Sequence, residues 1–128
     1  MKILHLGDAQ AQIKAINDPV VQAHMLEIIP QDLDLLFMPI DWKGPILNEA
    51  VDFVNLFKPR RVIPMHYWTQ ACKQGFFTQL NNLNNQGEHY VTQTIGGPEY
   101  SFSAGDEVEP VVLINLTREA YSGEIVLK

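Results

Sequence analysis

Residues 57–67 read Phe-Lys-Pro-Arg-Arg-Val-Ile-Pro-Met-His-Tyr, and this stretch decides the fold class. Its first part ends a helix, because Pro59 disfavours helical backbone in the residue before it. The largely apolar run over residues 61–65 predicts a short buried strand, which stops at the polar side chain of His66. A helix that passes so directly into a strand is typical of α/β proteins.

The residues before this stretch complete a strand-helix-strand unit. Residues 33–40 are almost continuously apolar, which is typical of a strand covered on both faces. Apolar side chains then recur at helical spacing over residues 49–57, and Asn48 is a candidate N-cap. Two strands joined by a helix through short connections are expected to be parallel neighbours in one sheet. The sequence therefore predicts an α/β domain.

The remaining segments add strands and helices around this unit. A strand at residues 2–6 ends at Gly7-Asp8, and Asp18-Pro19 opens a helix that runs to residue 28. We expect residues 1–110 to form one domain, and residues 111–128 to form a hairpin that packs on it or extends it. The other predicted elements are a helix at residues 71–86 closed by Gly87, and strands at residues 90–95, 100–103, 111–116 and 124–127, the last two being antiparallel.

Polar residues follow the ends of three predicted strands. Asp8 follows the first strand, Asp41 the second, and His66 the third. Functional groups gather at the carboxyl ends of strands in parallel sheets, so we expect these three residues at one edge. Carboxylate and imidazole groups are zinc ligands, and a catalytic zinc usually takes three protein ligands and one water molecule.

Two of these segments resemble a known family. Gly7-Asp8, together with residues 57–59 and 62–67, is similar to the C-terminal half of metallo-β-lactamase-fold hydrolases, in the branch of the ascorbate-phosphate lactonases. The resemblance covers roughly residues 3–108. It implies that Asp8 bridges two metal ions and that His66 is the last metal ligand, with zinc, manganese or iron in the complete site. The family's other ligands come from a His-x-His-x-Asp-His loop and a further histidine, which this chain lacks upstream of Gly7.

Four more residues are candidates for the surroundings of the metal. His5 is expected in the core or beside the ligands, because alternation along a strand sends positions 5 and 8 to opposite faces. Asp41 stands where relatives often carry glycine, so its role stays open. Tyr67 and Trp68 could line the cleft or pack in the core.

The resemblance implies a metal-dependent hydrolase of a phosphoester, a lactone or a related small-molecule ester. Asp8 and His66 are fewer than three ligands, so we expect weak metal binding and no hydrolysis from the chain alone. A second hypothesis is a non-catalytic assembly or binding domain that retains half of the fold. A third is a flavodoxin-like domain that is unrelated to hydrolases and complete in one chain.

The implied architecture also predicts a partner. It is one half of an αββα sandwich, with one mixed sheet, helices on one face and the C-terminal hairpin. Without the other half, the inner face of the sheet would expose a large apolar area, which monomers rarely tolerate. We therefore expect a homo-oligomer, or a complex with a chain that carries the N-terminal half.

Composition narrows the class of partner and the compartment. The 46% hydrophobic and 19% charged residues are ordinary for a globular domain, and the net charge of −6 disfavours nucleic acid or anionic membrane as a partner. The only local group of basic residues is Lys58, Arg60 and Arg61, which we interpret as a solvated corner between helix and strand. Cys72 is a single cysteine and cannot form an internal disulfide, which favours a reducing, cytoplasmic location.

Overall fold

The computed structural model describes residues 1–7, 10–40, 45–65, 69–96, 101–102 and 111–116. These residues form an α/β fold, as the sequence predicts. Its elements are β1 (Ile3–His5), α1 (Gln10–Lys14), α2 (Pro19–Ile28), β2 (Leu35–Pro39), α3 (Pro45–Phe57), β3 (Arg61–Met65), α4 (Gln70–Asn82), a 3-10 turn (Leu83–Gln86), β4 (Tyr90–Ile95) and β5 (Val111–Leu116).

The five strands form one parallel sheet in the order β1-β2-β3-β5-β4. Leu36 is in register with Val62 across β2 and β3, which confirms that the two strands flanking α3 are parallel neighbours. The expected mixed sheet is wrong for the described strands, because all four pairings are parallel. The hairpin's second strand, residues 124–127, lies outside the described residues. Its first strand, β5, lies inside the sheet between β3 and β4, because both of its edges find parallel partners.

The described helices pack on one face of this sheet. Side chains alternate along a strand, so Leu36 and Met38 of β2 face the helices while Leu35 and Phe37 face away. We call the cluster on the helical side the helix-side core. Its members from the helices are fully or largely buried: Ile13 of α1, Met25 of α2, Ala50, Val51, Phe53, Val54 and Phe57 of α3, and Phe76, Phe77 and Leu80 of α4.

The opposite face of the sheet carries a second cluster of buried side chains. This second-face core consists of Leu35, Ile63, Phe102, Val112, Ile114 and Leu116. Leu35 is 0% exposed and Ile63 is 2% exposed. The expectation of a bare apolar face is therefore wrong at the centre of the sheet. The face is open at both edges of the described sheet, where Ile3 of β1 is 42% exposed and Val91 of β4 is 44% exposed.

Local signals place most element ends where the sequence predicts them. Asp18 caps α2, because its Oδ1 accepts hydrogen bonds from the amides of Val20 at 2.9 Å and Val21 at 3.2 Å. Gly87 closes the helical segment after α4 with a φ of 89°, a left-handed conformation that suits glycine. Asn48, in contrast, is not an N-cap: α3 already begins at Pro45, since proline is well suited to the first turn of a helix.

One further expectation concerns the C-terminal part. Ser101 and Phe102 are not in a strand, so the strand predicted at residues 100–103 is wrong at these two positions. Phe102 instead packs under the guanidinium of Arg61, 4.2 Å from its ring centre. Within the described part of the chain, no helix is both long and apolar enough to cross a membrane.

Candidate functional site

The carboxyl ends of β1, β2 and β3 lie side by side and define the candidate site. The amide of Leu6 donates to the carbonyl of Phe37 at 3.3 Å, and the amide of Ile40 donates to the carbonyl of Met65 at 2.9 Å. Pro39 and Met65 are direct register partners. Neighbouring strands are about 4.8 Å apart, so the ends of β1 and β3 are separated by about 10 Å. We call this edge the carboxyl edge.

Most of the predicted site residues lie outside the described residues. These are the two predicted metal ligands, Asp8 and His66, and three of the four predicted neighbours, Asp41, Tyr67 and Trp68. In the sequence, Asp8 directly follows Gly7, Asp41 follows Ile40, and His66 follows Met65, and these three preceding residues are all at the carboxyl edge. In the described ranges, no three His, Cys, Asp or Glu residues group in a way that could hold a metal ion.

Gly7 makes the turn that precedes Asp8. Its φ is 57°, a left-handed conformation in which a side chain is strained. A Cβ added at Gly7 would meet no atom within 4 Å, so the requirement for glycine is conformational and not steric. The chain therefore changes direction sharply at the end of β1, immediately before the predicted bridging carboxylate.

His5 is the one predicted site residue that the structure describes. It is exposed, so the expectation that it lies in the core is wrong. Its ring stacks on Phe37, with 4.9 Å between the ring centres, and its Nδ1 accepts a hydrogen bond from the amide of Gly7 at 3.0 Å. That bond requires Nδ1 to be unprotonated. His5 thus supports the turn in front of Asp8, which is compatible with a place beside the ligands.

Two helices begin next to the carboxyl edge. Helix α3 begins at Pro45, after β2, and α4 begins at Gln70, after β3. Thr69 caps α4, because its Oγ1 accepts a hydrogen bond from the amide of Cys72 at 3.2 Å. The partial positive charge at helix N-termini favours negative groups nearby.

Lys73 is a residue of interest that sequence reasoning missed. It is 3% exposed, and its Nζ donates to the carbonyl oxygen of Leu116, the last residue of β5, at 3.0 Å. Burial lowers the pKa of the Lys73 ammonium, because the charged form is desolvated. A sequence signal was present, since Lys73, Phe76, Phe77 and Leu80 share one face of α4 at helical spacing.

Comparison with known proteins adds no relative. No protein-family model, no curated protein and no solved structure matches this chain.

Proposed function

We propose that this chain is part of a metal-dependent hydrolase of the metallo-β-lactamase superfamily that acts on a phosphoester, a lactone or a related ester. The observation that carries the proposal is the adjacency of β1, β2 and β3 in one parallel sheet. This adjacency supports a common edge of the sheet for the residues that follow the three strands, and Asp8 and His66 are among those residues. Two ligand candidates from strands that are distant in sequence then belong to one site.

The donor types fit a divalent metal. In this proposal the carboxylate of Asp8 and the imidazole of His66 would hold the metal, Asp8 as the shared ligand of a two-metal site and His66 as a ligand of one ion. Zinc, manganese or iron bound there would supply an acidified water molecule as the nucleophile. Gly7 and His5 form the turn that directly precedes Asp8 in the sequence. Asp41, Tyr67 and Trp68 are proposed as neighbours that shape the cleft.

The one-sided packing of the helices supports the half-sandwich over the flavodoxin-like alternative. A doubly wound sheet carries helices on both faces. Here the described helices contribute their buried residues to the helix-side core, and the second-face core contains strand residues and Phe102. This arrangement favours a sheet whose second face belongs to the interior of a larger layered fold.

Partners and compartment follow from the same proposal. A catalytic zinc site needs more protein ligands than Asp8 and His66, so the proposal requires a chain with the N-terminal half, or a second copy. The exposed side chains of Met1 and Ile3 at the β1 side of the sheet support such an association. The single cysteine, Cys72, supports a reducing, cytoplasmic location.

Metal binding tests the ligand assignment directly. Equilibrium dialysis of the full chain against Zn²⁺ or Mn²⁺ should give weak binding, which Asp8→Asn and His66→Asn each reduce further by about tenfold, the loss expected when one ligand interaction of about 1.4 kcal/mol is removed. His24→Asn is the matched control, because His24 is an exposed residue of α2. Equal metal binding by all three variants and the natural chain would contradict the assignment.

Complementation separates the hydrolase from the non-catalytic assembly domain. The assembly domain is favoured because Asp8 and His66 are fewer than the three protein ligands that a catalytic zinc site usually takes. Mixing the chain with a protein that carries the His-x-His-x-Asp-His half should produce two metal ions per complex and phosphodiesterase or lactonase activity. A stable complex that takes up no metal would instead support an assembly domain.

A further inference from the structure

A cleft lies at the amino-terminal end of the sheet, opposite the carboxyl edge. It has a volume of about 320 Å³ and is lined by the corner before β3, the corner before β4 and the first residue of β5. Cavities of this size bind small molecules in many proteins. We call it the amino-edge cleft. Its lining consists of Lys58, Pro59, Arg60, Gly87, Glu88, His89, Tyr90 and Val111.

Two cations line the amino-edge cleft on an acidic chain. Lys58 pairs with Glu88, which also lines the cleft, and Arg60 pairs with the largely buried Asp34. The whole chain has a net charge of −6. The imidazole of His89 is exposed beside these groups and adds further hydrogen-bonding capacity. An anion that displaces the Glu88 carboxylate would therefore meet two cations at this place on an otherwise acidic protein.

Lys58 holds an unusual backbone position at the rim. Its φ is 44°, and its amide donates to the carbonyl of Val54 at 2.8 Å, so it closes α3 in a conformation that normally selects glycine. A lysine at such a position costs about 1 kcal/mol relative to glycine. Its ammonium reaches across to the Glu88 carboxylate at 2.6 Å. The left-handed backbone at Lys58 thus accompanies the placement of its ammonium in the lining of the cleft.

The second cation is held more rigidly. Arg60 Nη1 lies 3.5 Å from the carboxylate of Asp34, which is largely buried and also accepts the amide of Lys2 at 2.7 Å. A guanidinium has five N–H donors, so Arg60 can serve Asp34 and a ligand at the same time. Tyr90 also lines the cleft and adds no negative charge to it. Burial raises the pKa of the Tyr90 phenol, and its hydroxyl donates to Asn55 Oδ1 at 2.7 Å.

We infer that the amino-edge cleft binds a small oxyanion, such as the phosphate group of a phosphorylated metabolite. The anion takes the place of the Glu88 carboxylate at the Lys58 ammonium and receives further hydrogen bonds from Arg60 and His89. The site lies at the end of the sheet opposite the proposed metal site, and the two assignments stand or fall separately.

Inorganic phosphate is the probe for this assignment. Titration of the full chain, followed by amide NMR at constant ionic strength with chloride as the balancing ion, should give saturable shifts at Arg60, Gly87, Glu88 and His89. Lys58→Gly should weaken phosphate binding by about fivefold, which corresponds to about 1 kcal/mol. This variant relieves the strained backbone, so its fold should persist. Glu88→Gln should strengthen binding, because it removes the competing carboxylate.

Two control variants change the same charges elsewhere. Lys14→Ala removes an exposed cation from α1, and Glu27→Gln removes an exposed carboxylate from α2. Both should leave phosphate binding unchanged. The inference is overturned if the shifts do not saturate, if Lys58→Gly binds phosphate as tightly as the natural chain, or if the control variants produce the same changes as their counterparts.

Discussion

Lys73 carries a buried charge in the first turn of α4, close to the carboxyl end of β5. A buried ammonium is stable only where polar atoms receive its protons, and the Leu116 carbonyl accepts one of them. Because burial lowers the pKa of Lys73 in the folded chain, the unfolded chain binds this proton more readily at alkaline pH. The contribution of Lys73 to stability therefore depends on pH.

The sign of that dependence gives the first prediction. Between the folded pKa of Lys73 and the ordinary lysine value, stability rises with pH, with a slope of at most about 1.4 kcal/mol per pH unit. The free energy of unfolding of the natural chain, relative to Lys73→Met, should therefore increase as the pH rises towards the ordinary lysine pKa of about 10.4. Urea unfolding at several pH values measures it. Lys14→Met, at an exposed position, should show no such trend, and a flat difference for Lys73→Met would contradict the prediction.

Two glycines should respond to alanine with opposite signs. Gly7→Ala should destabilise the chain by about 1 kcal/mol, because φ at Gly7 is 57° and alanine is strained there. Gly75 lies within α4, where a Cβ would meet Leu47 Cδ2 at an ordinary 3.4 Å. Gly75→Ala should therefore stabilise the chain by about 0.5–1 kcal/mol, the usual helical gain. Thermal unfolding of both variants checks the prediction, and a loss at Gly75 equal to that at Gly7 would disprove it.

At the scale of single elements, α2 is the helix that depends most on its own sequence. Met25 is the one buried residue in α2, and Val20 and Ile28 are exposed apolar residues. Packing on the sheet therefore contributes less to α2 than to α3, whose residues Phe53, Val54 and Phe57 are in the helix-side core. The cap at Asp18 and Pro19 in the first turn then carry more of the helix's stability.

Replacement of the cap tests this view of α2. Asp18→Ala removes the acceptor for the amides of Val20 and Val21 and should cost about 1 kcal/mol of stability. Asp18→Asn keeps an acceptor oxygen and should cost much less. Amide hydrogen exchange should show faster exchange in α2 for the alanine variant. If the asparagine variant loses as much as the alanine variant, the charge of Asp18 and not its hydrogen bonds supports the helix.

At the scale of the whole molecule, the second face of the sheet decides how the chain relates to a partner. Its centre is buried within the single chain, and its edges at β1 and β4 are open. A half-sandwich with an entirely bare inner face is therefore not what this chain forms. Association, if it occurs as we propose, would use the β1 side and its exposed Ile3.

Two aspartate substitutions distinguish the buried and the open parts of this face. Ile63→Asp places a charge in the second-face core and should abolish cooperative folding, at a cost above about 4 kcal/mol. Ile3→Asp lies at the open side and should change stability by less than about 1 kcal/mol while weakening any self-association. Circular dichroism and light scattering after size exclusion measure the two effects. A well-folded Ile63→Asp variant would show that the centre of the face is not required for folding.

The sequence by itself determined most of the elements and many of their ends, but it did not predict helix α1. Asp18-Pro19, Lys58-Pro59 and Gly87 act through backbone conformations and hydrogen bonds within a few residues, so their effects can be read locally. The tertiary structure alone decided the insertion of β5 between β3 and β4, the covered second face, the burial of Lys73 and the pairing of Lys58 with Glu88 across a cleft. Each of these features joins residues that are far apart in the chain. Hydrophobic burial, which drives folding, is non-directional and does not prescribe which distant surfaces meet.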